Sequence, residues 1–124
     1  MNKFKAKVLK IDKDVEDIIT VEIDGVTLTC FANICPYQIN VGKDYNIEIS
    51  FEVFSEYIVE EVPEPQLAIT QSENCLPCWF IGKHCGKKLQ SVITFEDEIL
   101  LSEFAYLEGK YIRMKVDRVD VEFL

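Results

Sequence analysis

The chain is poor in histidine, the commonest general base and metal ligand, and in tryptophan, proline and glycine. Its 124 residues include one histidine, one tryptophan, four prolines and five glycines. No GxSxG, HExxH or P-loop motif is present, which removes the commonest serine-hydrolase, zincin and nucleotide-phosphate signatures. A single imidazole, His84, is all that general-base chemistry by histidine can draw on. Low glycine and proline exclude collagen-like and low-complexity classes. No apolar run approaches the roughly 20 residues of a membrane helix. The opening "MNKFKAKVLKID" interrupts its apolar residues with lysines, unlike the unbroken apolar segment of a secretory signal. The expectation is a cytoplasmic protein with no membrane contact.

Positive charge is also in deficit. Twenty-two acidic against thirteen basic residues leave a net charge of −9. Such a surface repels phosphate backbones, so nucleic acid is not the expected partner; it favours a basic protein. Five cysteines is an odd number, and in a reducing compartment they read as free thiols.

What is present is alternation of period two. In "FKAKVLKI", Phe4, Ala6 and Val8 share a face opposite Lys3, Lys5 and Lys7, and the phase slips at Val8-Leu9, the signature of a β-bulge. "IITVEIDGVTLTCF" reads as a hairpin, with Asp24-Gly25 as its turn. "YNIEISFEVF" is the cleanest strand, with Tyr45, Ile47, Ile49, Phe51 and Val53 on one face. "YIVEEV" extends it or forms a separate edge strand, and "PEPQ" at 63–66 marks an exposed loop. "CWFIGKH" reads as a strand with "LQSVITF" as its hairpin partner across Gly86. Residues 96–108 form the one credible helix, with acids at its start and Gly109 as its cap. "KYIRMKVDRVDVEFL" reads as one long coiled strand that slips phase at Asp117-Arg118. No linker or repeat interrupts residues 1–124, so a single domain is expected. Its class is mainly β: a small antiparallel OB-like barrel, closed or half-open, with one short helix.

The segments "KAKVLKID", "ITVEIDGVTLTCF", "VGKDYNIEISF" and "LEGKYIRMKVDRVDVEF", roughly half of the chain, resemble an OB-fold. That resemblance implies a ligand face on the second and third strands. There the outward residues are Thr20, Glu22, Asp24, Thr27 and Thr29, with Phe31 the one aromatic nearby. Single-strand binders present stacked aromatics and cations, so this face argues further against nucleic acid.

"NCLPCWFIGKHCG" holds Cys75, Cys78, His84 and Cys85, all possible metal ligands. Cys75-Leu76-Pro77-Cys78 has the spacing of one zinc knuckle. Completing a zinc site takes a second pair, and His84 and Cys85, adjacent on a strand, point to opposite faces. Catalytic thiol chemistry wants a helix after the CxxC, whereas "WFIGK" is strand-like. The plainer reading makes Cys30, Cys78 and Cys85 small core residues and puts His84 on a solvated hairpin beside Lys83, Lys87 and Lys88. No cofactor is then expected, with zinc as the alternative.

Carboxylates gather on the first connection (Asp12, Asp14, Glu16, Asp17), after the cleanest strand, and along the last strand. The expected partner-binding residues are Glu52, Glu56, Tyr57, Glu60, Glu61, Asp117 and Asp120, acids steering a basic partner with tyrosine as aromatic anchor. In type, this small acidic β-protein resembles a bacterial immunity protein. That resemblance implies an inhibitor, not an enzyme, that covers the cationic site of a basic toxin such as a nuclease. The alternatives are an OB-like module that binds a small ligand or assembles with another protein, and a zinc-stabilised β domain.

Overall fold

The structure is a computed structural model and describes residues 2–124. Five strands close a barrel: β1 (Lys3–Ile11), β2 (Ile18–Ile23), β3 (Val26–Ile34), β4 (Asp44–Glu52) and the last strand, β11 (Arg118–Phe123). Their order is β1-β2-β3-β11-β4, with β4 returning to β1. This is the OB-like barrel the alternation led us to expect, with one correction. The barrel is not wholly antiparallel, because β3 and β11 run parallel from Asp120↔Phe31 onward. The phase slip at Leu9 is a register shift between Val8 and Lys10 against β2. Asp24 and Gly25 both take positive φ, 48° and 83°, the geometry of a two-residue turn matched to strand twist. Ala6, Val8, Ile19, Val21, Leu28, Ile47, Val119 and Val121 fill the interior and are all buried.

Between β4 and β11 the chain builds a second, six-stranded sheet. Its members are β5 (Ile58–Glu61), β6 (Ala68–Thr70), β7 (Cys78–Cys85), β8 (Lys88–Gln90), β9 (Thr94–Glu96) and β10 (Tyr111–Val116). β7 pairs with β10 on one side and with β6 and β8 on the other. "YIVEEV" is therefore a separate edge strand, β5. "LQSVITF" is a hairpin partner across Gly86 for its first residues only, and it breaks after Gln90 to return as β9. The slip at Asp117-Arg118 is more than a bulge: β10 belongs to the second sheet and β11 to the barrel, so Asp117 is the point where the chain changes sheets.

The helix expected over 96–108 is shorter. Helix α1 spans Glu98–Ser102, and a 3-10 turn follows at Ala105–Leu107. Leu100 and Leu107 are buried while Ile99 and Phe104 are half-buried. The two anchors insert from separate turns, Leu100 from α1 and Leu107 from the 3-10 turn. Gly109 takes positive φ, as a cap there would.

Aromatic rings fasten the two sheets. Phe4 and Phe51 of the barrel meet Phe80 and Phe95 of the second sheet, with centroids 5.2–5.5 Å apart, and Phe80 and Phe95 pack on each other at 4.9 Å. Edge-on geometry of this kind contributes about 0.5–1.5 kcal/mol per pair beyond area burial. Two side-chain amides splice backbone as well. Asn2 Nδ2 donates to Glu96 O at 2.8 Å while its Oδ1 accepts from Glu96 N at 2.7 Å. Gln71 does the same to Thr29 of β3.

Candidate functional site

A concavity rich in ionisable groups lies where the outer wall of β4 and β11 meets the rim of the second sheet. It encloses about 480 Å3. Strand parity points Glu48 and Ser50 of β4 outward, because Ile47 and Ile49 point in. Glu122 of β11 stands directly opposite Glu48. Like charges in that position are mutually unfavourable, and Lys3, facing Glu48 from β1, is their nearest strand neighbour of opposite sign.

Asp97 and Tyr57 form the other wall. Asp97 has two tasks. Its Oδ1 accepts from Ile99 N at 3.1 Å, capping α1, and its Oδ2 accepts the Tyr57 hydroxyl at 3.1 Å. Burial first, then the Asp97 charge and hydrogen bond, push the Tyr57 hydroxyl up to about 12, with Glu52 and Glu103 adding to it. Lys87 is the cation of the cleft, 3.5 Å from Glu98 and 4.0 Å from Glu96. The arrangement is a carboxylate-lined recess with one phenol donor fixed by a cap residue.

The expected partner-binding residues divide. Tyr57 lines the cleft, Glu52 is close enough to act on its hydroxyl, and exposed Glu56 precedes it in the chain. Glu60 and Glu61 sit on β5 and are already engaged, with Arg113 Nη2 at 2.6 Å and Lys110 Nζ at 3.6 Å respectively. Asp117 is half-buried and its Oδ2 accepts from Phe54 N at 2.7 Å, fixing the sheet change. Asp120 is a correction. It is 2% exposed and held by the Arg118 guanidinium at 2.6 and 3.0 Å. Arg118 is in turn stacked over Phe31 and Phe54, so Asp120 is a buried ion-pair partner with no face left to offer. Glu48, Asp97, Glu98 and Glu122 are cleft residues that the sequence reading did not select.

The sulfur-rich segment is also redistributed. Cys75 is exposed on the loop before β7, Cys78 is buried, and Cys85 is half-buried on the outward face. Among the described residues no group of three or more His, Cys, Asp or Glu side chains is placed to hold a metal ion. His84 is not on a solvated hairpin: it is fully buried. Cys78, Phe80, Gly82 and His84 share the inward parity of β7. His84 Nε2 lies 2.7 Å from Gly86 O, which can only accept, so Nε2 carries the proton, while Nδ1 has no hydrogen-bond partner among the described residues. Burial pushes the Cys30 thiol up, with Cys78 and Asp120 adding, and burial pushes Cys78 to about 12. Both are inert core thiols.

A family model matches the whole of residues 1–124. The chain belongs to the family described as Uncharacterised conserved protein UCP019853. No curated protein and no solved structure matches it. Among the described residues no helix is long and apolar enough to cross a membrane.

Proposed function

We propose that this member of the family is a protein-binding inhibitor that docks on a basic partner, in the manner of an immunity protein neutralising a cationic toxin such as a nuclease. The observation that carries the reading is the recess in which Glu48 faces Glu122 and Tyr57 is held by Asp97. A cationic side chain of the partner relieves the Glu48–Glu122 repulsion on entering, and Tyr57 supplies a fixed aromatic contact at little entropic cost. The net charge of −9 adds long-range steering toward a basic surface. The reading places the function in binding and not in catalysis.

The test is affinity capture from native cells with the wild-type chain, the Glu48→Lys/Glu122→Lys variant and Glu60→Lys. A basic partner released by raised salt should be retained by wild type and by Glu60→Lys, and lost by the double variant. Retention by all three, or capture of acidic partners alone, would sink the reading.

A further inference from the structure

A second concavity differs in character from the acidic cleft. It encloses about 470 Å3 beside β6 and β7 and is lined by Thr70, Gln71, Ser72, Cys75, Pro77, Trp79 and Lys115. Among these described residues there is no carboxylate, although the chain carries 22. Lys115 has no ion-pair partner among the described residues, and the side-chain hydroxyls of Thr70 and Ser72 make no hydrogen bond there.

The walls are fixed in advance. Trp79 is held by the Arg113 guanidinium, 4.9 Å from its ring centroid, and Arg113 is anchored by Glu60 at 2.6 Å. Gln71 is pinned to the barrel through Thr29 N at 2.8 Å and Thr29 O at 2.9 Å, and to Leu76 O at 3.2 Å. Cys75 N donates to Ser72 O at 3.1 Å, closing the turn at the rim. An indole face, an uncommitted ammonium and two free hydroxyls thus converge on a recess of small-molecule size.

We propose that this recess binds a small planar anion, a ring bearing a phosphate or a carboxylate. The ring stacks on Trp79 with Pro77 as further apolar surface, and the anionic group meets Lys115 and the hydroxyls of Thr70 and Ser72. Ring stacking on an aromatic side chain is sequence-tolerant and favourable in such sites. Charge decides for a small ligand over a polymer. A polyanion extends beyond the screening distance of about 8 Å at physiological ionic strength and meets the acidic remainder of the surface, whereas one anionic group meets Lys115. The proposal is independent of the acidic docking surface, which lies on different residues.

Trp79 is the chain's sole tryptophan, so its fluorescence reports on this recess directly. The probes are adenosine monophosphate, adenosine, inorganic phosphate and benzoate, titrated into the intact protein with calorimetry in parallel. Adenosine monophosphate should give a saturable change at up to millimolar concentration, and adenosine a weaker one. Lys115→Gln should weaken the monophosphate by about tenfold or more, the scale of one charge-assisted contact. Binding of benzoate as well assigns the anion generally; binding of the monophosphate alone assigns phosphate. In wild-type protein the monophosphate should also slow alkylation of Cys75, read by peptide mass, and leave Cys35, exposed beside a separate recess, unchanged. The proposal is overturned if no probe saturates, if Lys115→Gln binds as wild type does, or if Cys75 is not protected.

Discussion

The side-chain amide of Gln71 pairs with both backbone groups of Thr29, accepting from its N–H at 2.8 Å and donating to its C=O at 2.9 Å. It serves as a one-residue strand on the part of β3 that precedes the pairing with β11, which begins at Phe31. Gln71→Ala leaves two barrel backbone groups without partners. Unsatisfied groups of this kind cost about 1–3 kcal/mol, and that loss should appear in urea unfolding. Gln71→Glu should recover little of it, because a carboxylate accepts from Thr29 N but has nothing to donate to Thr29 O.

The two arginine ion pairs should behave differently. Asp120 is buried and its bonds to Arg118 are bidentate; Glu60 and Arg113 are each about half exposed. Asp120→Asn strands a guanidinium stacked on Phe31 and should cost about 2 kcal/mol, short of the full buried-pair value because Arg118 keeps some access to water. Glu60→Gln should cost under about 1 kcal/mol. Chemical unfolding at low and high salt separates them: the Glu60 effect shrinks with salt and the Asp120 effect persists.

Tyr57 sets a pH window. Its hydroxyl titrates near 10 in an unfolded chain and is pushed to about 12 in the fold by burial and Asp97. The folded pKa is the higher one. The associated stability is therefore complete below pH of about 10 and is lost as pH rises toward about 12. Ultraviolet titration should show a late phenolate phase that shrinks by one tyrosine in Tyr57→Phe. Asp97→Asn should bring that phenolate to lower pH.

Alternation made the barrel legible in the sequence, because each inward residue of β1, β2, β4 and β11 falls on one parity and the Leu9 slip marks the bulge. The same parity places His84 with Cys78 and Phe80 on the buried face of β7. Reading its lysine neighbours as the environment, in place of its own strand phase, sent it to solvent. Asp117 shows the other limit. A phase slip is visible in sequence, but whether the strand bends or moves to another sheet depends on partners fifty or more residues away, β5 and β4. The cleft was half legible. Tyr57 and Glu52 sit in one acidic run, whereas Glu48 and Glu122 lie on separate strands that only the β4–β11 register brings face to face. Asp120 reads like them in sequence; the Arg118 side chain two residues earlier is what removes it from the surface.

Gly82 carries the tightest packing constraint on β7. A Cβ built there collides with Gln90 O and lies 2.8 Å from Ser91 Cα, both backbone atoms of the chain leaving β8. That close approach is held by Ser91, whose hydroxyl donates to Ile81 O at 2.6 Å. A flexible side chain could move aside; a hydrogen-bonded backbone moves only by giving up that bond and the β7–β8 register. Overpacking commonly costs about 1–3 kcal/mol, and Gly82→Ala should reach the upper end of that range or exceed it. The conformational gain that alanine usually brings over glycine, about 0.4–1 kcal/mol, is too small to offset it. Gly25→Ala provides the control, since nothing lies within 4 Å of its Cβ and its penalty comes from φ of 83° alone. Thermal unfolding should therefore rank wild type above Gly25→Ala, and Gly25→Ala above Gly82→Ala. Equal midpoints for the two variants would mean that the close approach of β8 to β7 carries no energetic weight.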